Sequence, residues 1–209
     1  EPLEHYLTYP MYLPVMTHIK ASRAEGRDVR IQVGIRKNSP DWPRLRESLR
    51  GYRYVMTSDW SGFDASVPAP LLEYALQVLR SAFNHTPRHA RMYARNYANF
   101  FGANFIQSSY ITGPALVRTV RGIPSGSILT SIIGSIVNYT VLDYLLAANR
   151  LVTDYKILVY GDDALVGFNS HENLTTRTGR RGFLSWLRGR ARDMFGMELS
   201  EMDTEVSTF

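Results

Sequence analysis

Two adjacent carboxylates lie near the end of the sequence, in the tetrapeptide Tyr160-Gly161-Asp162-Asp163. Short apolar runs at 157–159 and 164–166 flank it, so the pattern predicts a β-hairpin with the acids at its tip. Carboxylates this close resist ionising together and need counter-charge, which a hard cation such as Mg²⁺ can supply. Gly-Asp turns also join strands in many proteins. Taken alone, the motif leaves both a structural role and a metal site open.

A second acidic motif spans residues 59–64, with the sequence Asp-Trp-Ser-Gly-Phe-Asp. The run 54–57 predicts a short strand that leads into Asp59, and a strand end would fix its backbone while the carboxylate projects beyond the sheet. Gly62 lets the chain turn before Asp64. Both acids could equally be turn or cap residues ahead of a helix, so neither interpretation is excluded by this motif alone.

A glycine-flanked serine motif follows at 122–127, with the sequence Gly-Ile-Pro-Ser-Gly-Ser. It leads into a long apolar segment that predicts a helix from Ser127 to about Asn149. Flexible backbone and N–H groups at a helix start can approach a sugar or a phosphate. Ser127 alone would be enough to cap the helix. Two glycines and a proline within six residues therefore favour a functional loop.

The order of the three motifs is what a nucleotidyl-transferase palm requires. A carboxylate at a strand end, a Gly-Ser loop with a helix, and a carboxylate pair on a hairpin could together hold two metal ions, bridged by Asp59 and Asp162. In-line phosphoryl transfer depends mostly on positioning and charge neutralisation. Few other catalytic groups are needed.

Residues 59–64, 122–138 and 160–163 resemble palm motifs A, B and C of viral RNA-dependent RNA polymerases. The amino-acid sequences of these motifs are most similar to those of polymerases from double-stranded RNA viruses of the partitivirus and picobirnavirus kind. The resemblance implies an α+β polymerase palm, an RRM-like antiparallel sheet with helices on one face, with partial fingers segments. It implies a partial fingers segment at 1–50, palm at 51–84, a fingers insertion at 85–115, palm again at 116–209, and no thumb.

The same resemblance implies a role for each motif residue. Asp59 and Asp162 would bind two Mg²⁺ ions, for which Mn²⁺ can substitute, while Asp163 assists and the Trp60 carbonyl completes a metal shell. The nucleotide and its ribose would contact a set of loop and helix residues, namely Asp64, Ser125, Gly126, Thr130 and Asn138. The template RNA would contact Gly122 and Ser127.

Arginine dominates the basic residues: of 24 Lys and Arg, lysine occurs only at 20, 37 and 156, and the net charge is +5. The planar guanidinium matches phosphate geometry, which indicates a nucleic-acid or nucleotide partner. A helix predicted after Pro87 would place Arg88, Arg91 and Arg95 along one side. This stripe is either a solvated face or a contact with the template strand, and the arginines between 177 and 192 allow the same two interpretations.

Three features depart from the family pattern. Gly134 stands where many such polymerases carry an Asn that helps select ribose. No lysine follows Lys156, although the family commonly has one after motif C that is proposed to protonate pyrophosphate. The basic motif F that grips the triphosphate has only weak candidates in this chain, namely Arg23, Arg30, Arg36 and Lys37.

Two alternatives to an RNA polymerase remain. One is a reverse-transcriptase-like palm, which Asp64 disfavours because those enzymes usually place a bulky side chain at that position. The other is a non-catalytic nucleic-acid-binding fragment, since the sequence begins at Glu1 and suggests a piece of a longer chain. The expected partners are an RNA template, the product strand, NTPs and a viral capsid protein, in the host cytoplasm or inside the virion. The apolar stretch 128–148 carries several polar residues and predicts a buried helix, with no membrane span.

The remaining elements are predicted from apolar periodicity. A helix begins near Pro70, because Leu72, Leu76 and Leu79 share one face. Strands are expected at 104–111 and 115–120, joined by Gly113-Pro114, and a helix at 182–195. No regular structure can be assigned to residues 1–50.

Overall fold

The computed structural model describes residues 2–36, 38–84, 87–106 and 109–209. Its helices are α1 (Pro2–Ala24), α2 (Asp41–Leu49), α3 (Phe63–Ser66), α4 (Ala69–Ser81), α5 (Arg88–Ile106), α6 (Thr130–Ala148) and α7 (Arg177–Phe195). Its strands are β1 (Tyr54–Ser58), β2 (Trp60–Ser61), β3 (Ser109–Thr112), β4 (Ala115–Arg118), β5 (Val152–Tyr160), β6 (Asp163–Ser170), β7 (Glu198–Leu199) and β8 (Glu205–Thr208).

A four-stranded antiparallel sheet in the order β5-β6-β1-β8 forms the platform of the fold. Its register pairs Tyr54 with Phe168 and Met56 with Val166. All four side chains are fully buried. Alternate residues of a strand point to the same face, so this face of β1 and β6 belongs to the core. The predicted α+β class with an antiparallel sheet is confirmed.

Helices α4, α6 and α7 contribute to the same core as this face of the sheet. The ring of Phe183 on α7 stacks on Phe168 with centroids 5.1 Å apart. In the described part of the chain, α6 is the one helix long and apolar enough to cross a membrane by length and composition. Most of it is buried inside the protein, with Leu142 and Leu145 fully enclosed. It is the core helix that the sequence predicts.

Helix α2 covers the other face of the sheet, which the sequence did not predict. A side chain at Gly167 of β6 would meet Leu49 at 2.9 Å and Tyr52 at 2.7 Å. Residues 30–32 also run beside the outer edge of β5, where the Gln32 N–H donates to the Val159 carbonyl at 2.7 Å. Part of the N-terminal 50 residues is therefore built into the sheet.

Several predicted boundaries needed correction. The helix expected from Ser127 begins at Thr130, and the helix expected from 182 begins at Arg177. A strand from 104 was wrong, because α5 continues to Ile106. The helix near Pro70 and the turn at Gly113 between β3 and β4 are confirmed. Nothing in the structure tests the division into palm and fingers, which stays a prediction.

Candidate active site

The acidic turn joins β5 to β6, as the sequence predicts. Tyr160 pairs with Asp163, so Gly161 and Asp162 form a two-residue connection. Gly161 has φ of +64°, a left-handed conformation that glycine adopts without steric cost. The hairpin therefore places Asp162 at its tip and Asp163 at the first position of the returning strand.

A single buried amide holds this turn. The side-chain Nδ2 of Asn138 on α6 donates to the carbonyls of Gly161, Asp162 and Asp163 at 3.1, 2.7 and 3.2 Å. Its Oδ1 accepts from the Trp60 indole N–H at 2.8 Å. Asn138 thus connects the helix, the carboxylate turn and the segment that follows Asp59.

The structure corrects our expectation that Asn138 contacts the nucleotide. Its side chain is fully buried, and both ends of its amide are occupied within the protein. A buried amide whose donors and acceptor are satisfied has no capacity left for a ligand. Asn138 is a positioning residue for the turn.

Ser135 is a second support that we did not assign from the sequence. Its hydroxyl accepts from the Gly161 N–H at 2.8 Å and donates to the Ser131 carbonyl at 2.6 Å. Ser135 and Asn138 lie three residues apart and therefore share a helix face. Two polar residues on one face of a mostly apolar helix were the signal that could have revealed the contact.

Gly134 explains how α6 approaches the turn so closely. A side chain there would meet the ring of Phe63 at 3.3 Å and the Cα of Gly161 at 3.7 Å. Many such polymerases carry Asn at this position. Here the Phe63 ring and the Gly161 turn fill the space that such a side chain would need. Any contact that an Asn would make with ribose must be absent or supplied by another residue.

Asp59 follows β1 and is held through its backbone. The Thr204 hydroxyl donates to the Asp59 carbonyl at 3.2 Å and accepts from the Asp59 N–H at 3.4 Å. The Ser200 N–H donates to the same carbonyl at 2.9 Å, and the Ser200 hydroxyl donates to Asp203 at 2.7 Å. Thr204 is almost fully buried. The turn 200–204 was not recognised from the sequence because its partner lies about 140 residues away in the chain.

The carboxylates of the two acidic motifs influence each other. The pKa of Asp163 is raised by partial burial, then by the charges of Asp162 and Asp59. Asp59 and Asp163 also line one cavity of about 1180 Å³, together with Asp203. The acids that the sequence assigned to separate motifs are therefore brought to one place, where like charges favour a bound cation.

Within the described residues, no three His, Asp or Glu side chains form a group that could hold a metal ion by themselves. Mg²⁺ typically keeps several waters and uses one or two carboxylates together with substrate phosphates. The oxygen donors of Asp59 and Asp162 fit this chemistry. Trp60 is buried and its backbone pairs with Leu199 in the β2–β7 ladder.

Asp64 and Ser125 meet, although 61 residues separate them in the sequence. The Ser125 hydroxyl donates to the Asp64 carboxylate at 2.7 Å. Asp64 lies on the short helix α3, whose preceding residue Gly62 has φ of +60°. Ser125 is exposed and Asp64 is half-buried. The pair is accessible to a ligand.

The rest of the Gly-Ser loop is fastened to motif A and to α6. Gly122 has φ of +99°, and a side chain there would meet the Asp64 carbonyl at 2.8 Å. Its N–H donates to the Val67 carbonyl at 2.8 Å. The Thr130 hydroxyl donates to the Pro124 carbonyl at 2.8 Å. Gly122 is thus required for close packing of the loop, and Thr130 supports the loop through its backbone.

Ser127 does not face outward as we expected for a template contact. It is 8% exposed, and its hydroxyl accepts from the Leu129 N–H at 3.3 Å. This side chain orders the turn before α6, and its contact with RNA stays a prediction. Gly126, by contrast, is exposed, and its φ of +98° lies in the left-handed region that favours glycine.

None of the predicted basic residues lines the cavity that Asp59 and Asp163 share. Arg88, Arg91 and Arg95 are exposed on α5 and line a separate cavity. On α7, Arg180 and Arg188 donate to backbone carbonyls, and Arg192 pairs with Glu198. The other three arginines of this helix are exposed, namely Arg177, Arg181 and Arg190.

Two of the four weak candidates for motif F have partners within the protein. Arg23 donates to the Val33 carbonyl at 3.1 Å, and burial lowers its pKa. Arg30 pairs with Asp28 at 3.0 Å. Arg36 is exposed, and Lys37 lies outside the described residues.

Replacing Asn138 by Leu should lower the free energy of unfolding by about 2–4 kcal/mol, because buried turn carbonyls and an indole N–H lose their partner. Urea denaturation of the 209-residue chain measures the change. Thr140→Val on the same helix is the matched control, since it removes one hydroxyl that bonds only to the helix backbone. Equal losses in the two variants would contradict the central position of Asn138.

Replacing Thr204 by Val should expose the backbone of Asp59, because both bonds to the hydroxyl disappear at nearly constant volume. We expect amide hydrogen exchange at Asp59 to accelerate about 5- to 10-fold, equivalent to about 1 kcal/mol of lost protection. Thr204→Ser retains the hydroxyl and should restore most of the protection. Unchanged exchange in Thr204→Val would show that Ser200 alone holds the strand end.

Comparison with known proteins adds independent support for the identity of the fold. The family model described as viral RNA-dependent RNA polymerase matches residues 5–205. The genome polyprotein of Theiler's murine encephalomyelitis virus (strain GDVII) is 33% identical over 132 residues, covering 62% of this chain and 5% of the polyprotein. The RNA-directed RNA polymerase of Cryptosporidium parvum virus 1 (strain KSU-1) is 34% identical over 126 residues, covering 57% of this chain and 22% of the relative.

A solved structure, the Sicinivirus 3Dpol RNA dependent RNA polymerase, matches with a TM-score of 0.65 at 21% identity, covering 86% of this chain and 36% of that chain. This likeness shows the polymerase palm fold. The chain spans only a minor part of each of these matched proteins. Because the family model covers nearly the whole chain, the chain belongs to the viral RNA-dependent RNA polymerase family.

Proposed function

We propose that this chain carries the catalytic palm of an RNA-directed RNA polymerase, which transfers nucleotides from NTPs to a growing RNA strand in viral genome replication and transcription. The observation that carries the proposal is the junction at Asn138, which ties the carboxylate turn to the segment after Asp59. Metal-assisted phosphoryl transfer needs carboxylates that are distant in sequence to be fixed close together in space.

Two Mg²⁺ ions, replaceable by Mn²⁺, would be held by Asp59 and Asp162, with Asp163 assisting and the Trp60 carbonyl as a further ligand. When bound, such ions acidify the attacking 3′-hydroxyl and offset the charge of the triphosphate. The protein itself keeps the two acids in register. Asn138 fixes the turn carbonyls, and Thr204 fixes the backbone of Asp59. Partial burial raises the pKa of Asp163 most, and the charges of Asp162 and Asp59 raise it further, so these three carboxylates lie close enough to interact.

The Asp64–Ser125 pair supports selection of ribonucleotides. A carboxylate that accepts from a serine hydroxyl can accept a second bond from a ribose 2′-hydroxyl, and Ser125 can reorient to share it. Thr130 supports this loop, and the exposed Gly126 gives it room to track the nucleotide. This pairing is also the reason to prefer an RNA polymerase over a reverse-transcriptase-like palm. A bare nucleic-acid-binding fragment would not require the carboxylates to converge.

Other aspects of the proposal rest on the resemblance in the motifs. These include a closer kinship with partitivirus and picobirnavirus polymerases, an RNA template and product strand as partners, and contact with a viral capsid protein. The host cytoplasm and the interior of the virion are the proposed locations. General-acid assistance to pyrophosphate would need a group other than lysine in this chain, since none follows Lys156.

Asp162→Asn should lower Mg²⁺-dependent extension of a primed RNA at least about 100-fold, because the substitution removes a full negative charge from the metal site. The assay uses the complete translation product that contains these 209 residues. Asp154→Asn is the matched control, an exposed acid at the opposite end of β5. An Asp162→Asn enzyme that retains activity within about threefold of the parent would remove the metal assignment.

Ser125→Ala should reduce discrimination between NTPs and 2′-deoxy NTPs about 5- to 20-fold, the equivalent of one lost hydrogen bond to the sugar. The ratio of kcat/KM values for the two substrates measures it, and Ser131→Ala serves as a control at an exposed position on α6, just after the loop. If the parent enzyme used both substrates equally, the reverse-transcriptase-like alternative would be preferred.

A further inference from the structure

A cavity of about 340 Å³ lies where α4 ends and α5 begins. Four arginines line it, Arg80 from α4 and three from α5, namely Arg88, Arg91 and Arg95. All four side chains are exposed. On α5 the three arginines recur at spacings of three and four, which aligns them along one helix face. The cavity therefore gathers side chains that would otherwise be spread over two helices.

No acid neutralises this group in the described part of the chain, where none of its four arginines forms an ion pair with a carboxylate. Arg91 donates to the Asn84 carbonyl at 3.2 Å. The sequence contains no Asp or Glu from Tyr74 to Leu142, while arginine occurs in that stretch at 80, 88, 91, 95, 118 and 121. Since the whole chain has a net charge of +5, the excess positive charge is concentrated in this one segment.

We propose that this cavity binds consecutive phosphates of an RNA backbone. Like charges within one cavity repel, and an anionic partner relieves that repulsion. Guanidinium groups match phosphate oxygens through two parallel N–H donors. Four exposed guanidinium groups around one cavity suit several consecutive phosphates better than a single phosphate. Phe83 and Met92 form an apolar part of the wall beside which a base could lie.

The proposal rests on the proposed polymerase function for its choice of RNA as the polyanion. It decides between the two interpretations of the α5 stripe in favour of a contact and adds Arg80 to it. The site contains none of the carboxylates of the active site. RNA binding here can therefore be measured without catalysis.

The test is fluorescence anisotropy of the 209-residue chain with a labelled 16-nucleotide RNA, from 50 to 200 mM salt. A variant with Arg80, Arg88, Arg91 and Arg95 changed to Gln should bind the RNA at least about 10-fold more weakly. Its slope of log affinity against log salt should also become less steep by about three. The matched control changes four other exposed arginines to Gln, namely Arg46, Arg50, Arg53 and Arg150, none of which is a candidate for contact with RNA. Equal losses in the two variants would overturn the proposal.

Two further arms separate the charge of the arginines from their donor geometry, and RNA from free phosphate. Changing the same four residues to Lys keeps the charge and should keep the salt slope, while the loss of paired donors weakens binding severalfold. Inorganic pyrophosphate, added at the same phosphate concentration as an unlabelled RNA competitor, should displace the labelled RNA far less well. Equal displacement would show a site for free phosphates and overturn the RNA assignment. The binding assay contains neither NTP nor Mg²⁺, and the extension assay of Asp162→Asn measures catalysis, so failure of the proposed catalysis and failure of this site are distinguishable.

Discussion

The amide of Asn138 is the interaction on which the rest of the site depends. It is buried, and it joins three carbonyls of the acidic turn to the indole of Trp60. Inside a protein such a network is favourable only when every member has a partner. Displacement of α6, of the turn or of the segment after Asp59 would leave buried polar groups without one. The core helix and the carboxylates of the two acidic motifs are therefore constrained together.

A second constraint acts from the end of the described chain. Thr204 and Ser200 hold both backbone groups of Asp59, and β8 continues from this turn to pair with β1. Separate elements thus fix the acids of the two motifs. Helix α6 holds the turn at Asp162, and the turn 200–204 holds Asp59. The backbones of these acids are held in this way, and the side chains of Asp59, Asp162 and Asp163 would be the groups that bind a cation. This division suits a site whose ligands must be ready before cation and nucleotide arrive.

The sequence predicted the residues with the chemistry better than the residues that support them. The hairpin at Gly161 and the strand before Asp59 followed from local patterns. The resemblance implied that Asp64 and Ser125 contact the same ribose, and the structure adds the hydrogen bond between them. Asn138 was misassigned because a polar side chain carries the same signal whether it faces a ligand or a buried backbone group, and the burial of Ser127 was missed for the same reason. Thr204 and α2 were missed for another reason. Their partners, Asp59 and Gly167, are distant in sequence, and no local periodicity encodes such contacts.

The central claim is that Asp59 and Asp162 form one cation site. The most direct measurement is the broadening of backbone amide resonances of the 209-residue chain during titration with Mn²⁺, whose unpaired electrons affect only nearby nuclei. The account predicts that the amides of Trp60 and Gly161 broaden together at the same Mn²⁺ concentration, and that Asp162→Asn abolishes both effects while Asp154→Asn abolishes neither. Broadening at only one of the two motifs, or broadening that persists in Asp162→Asn, would contradict it.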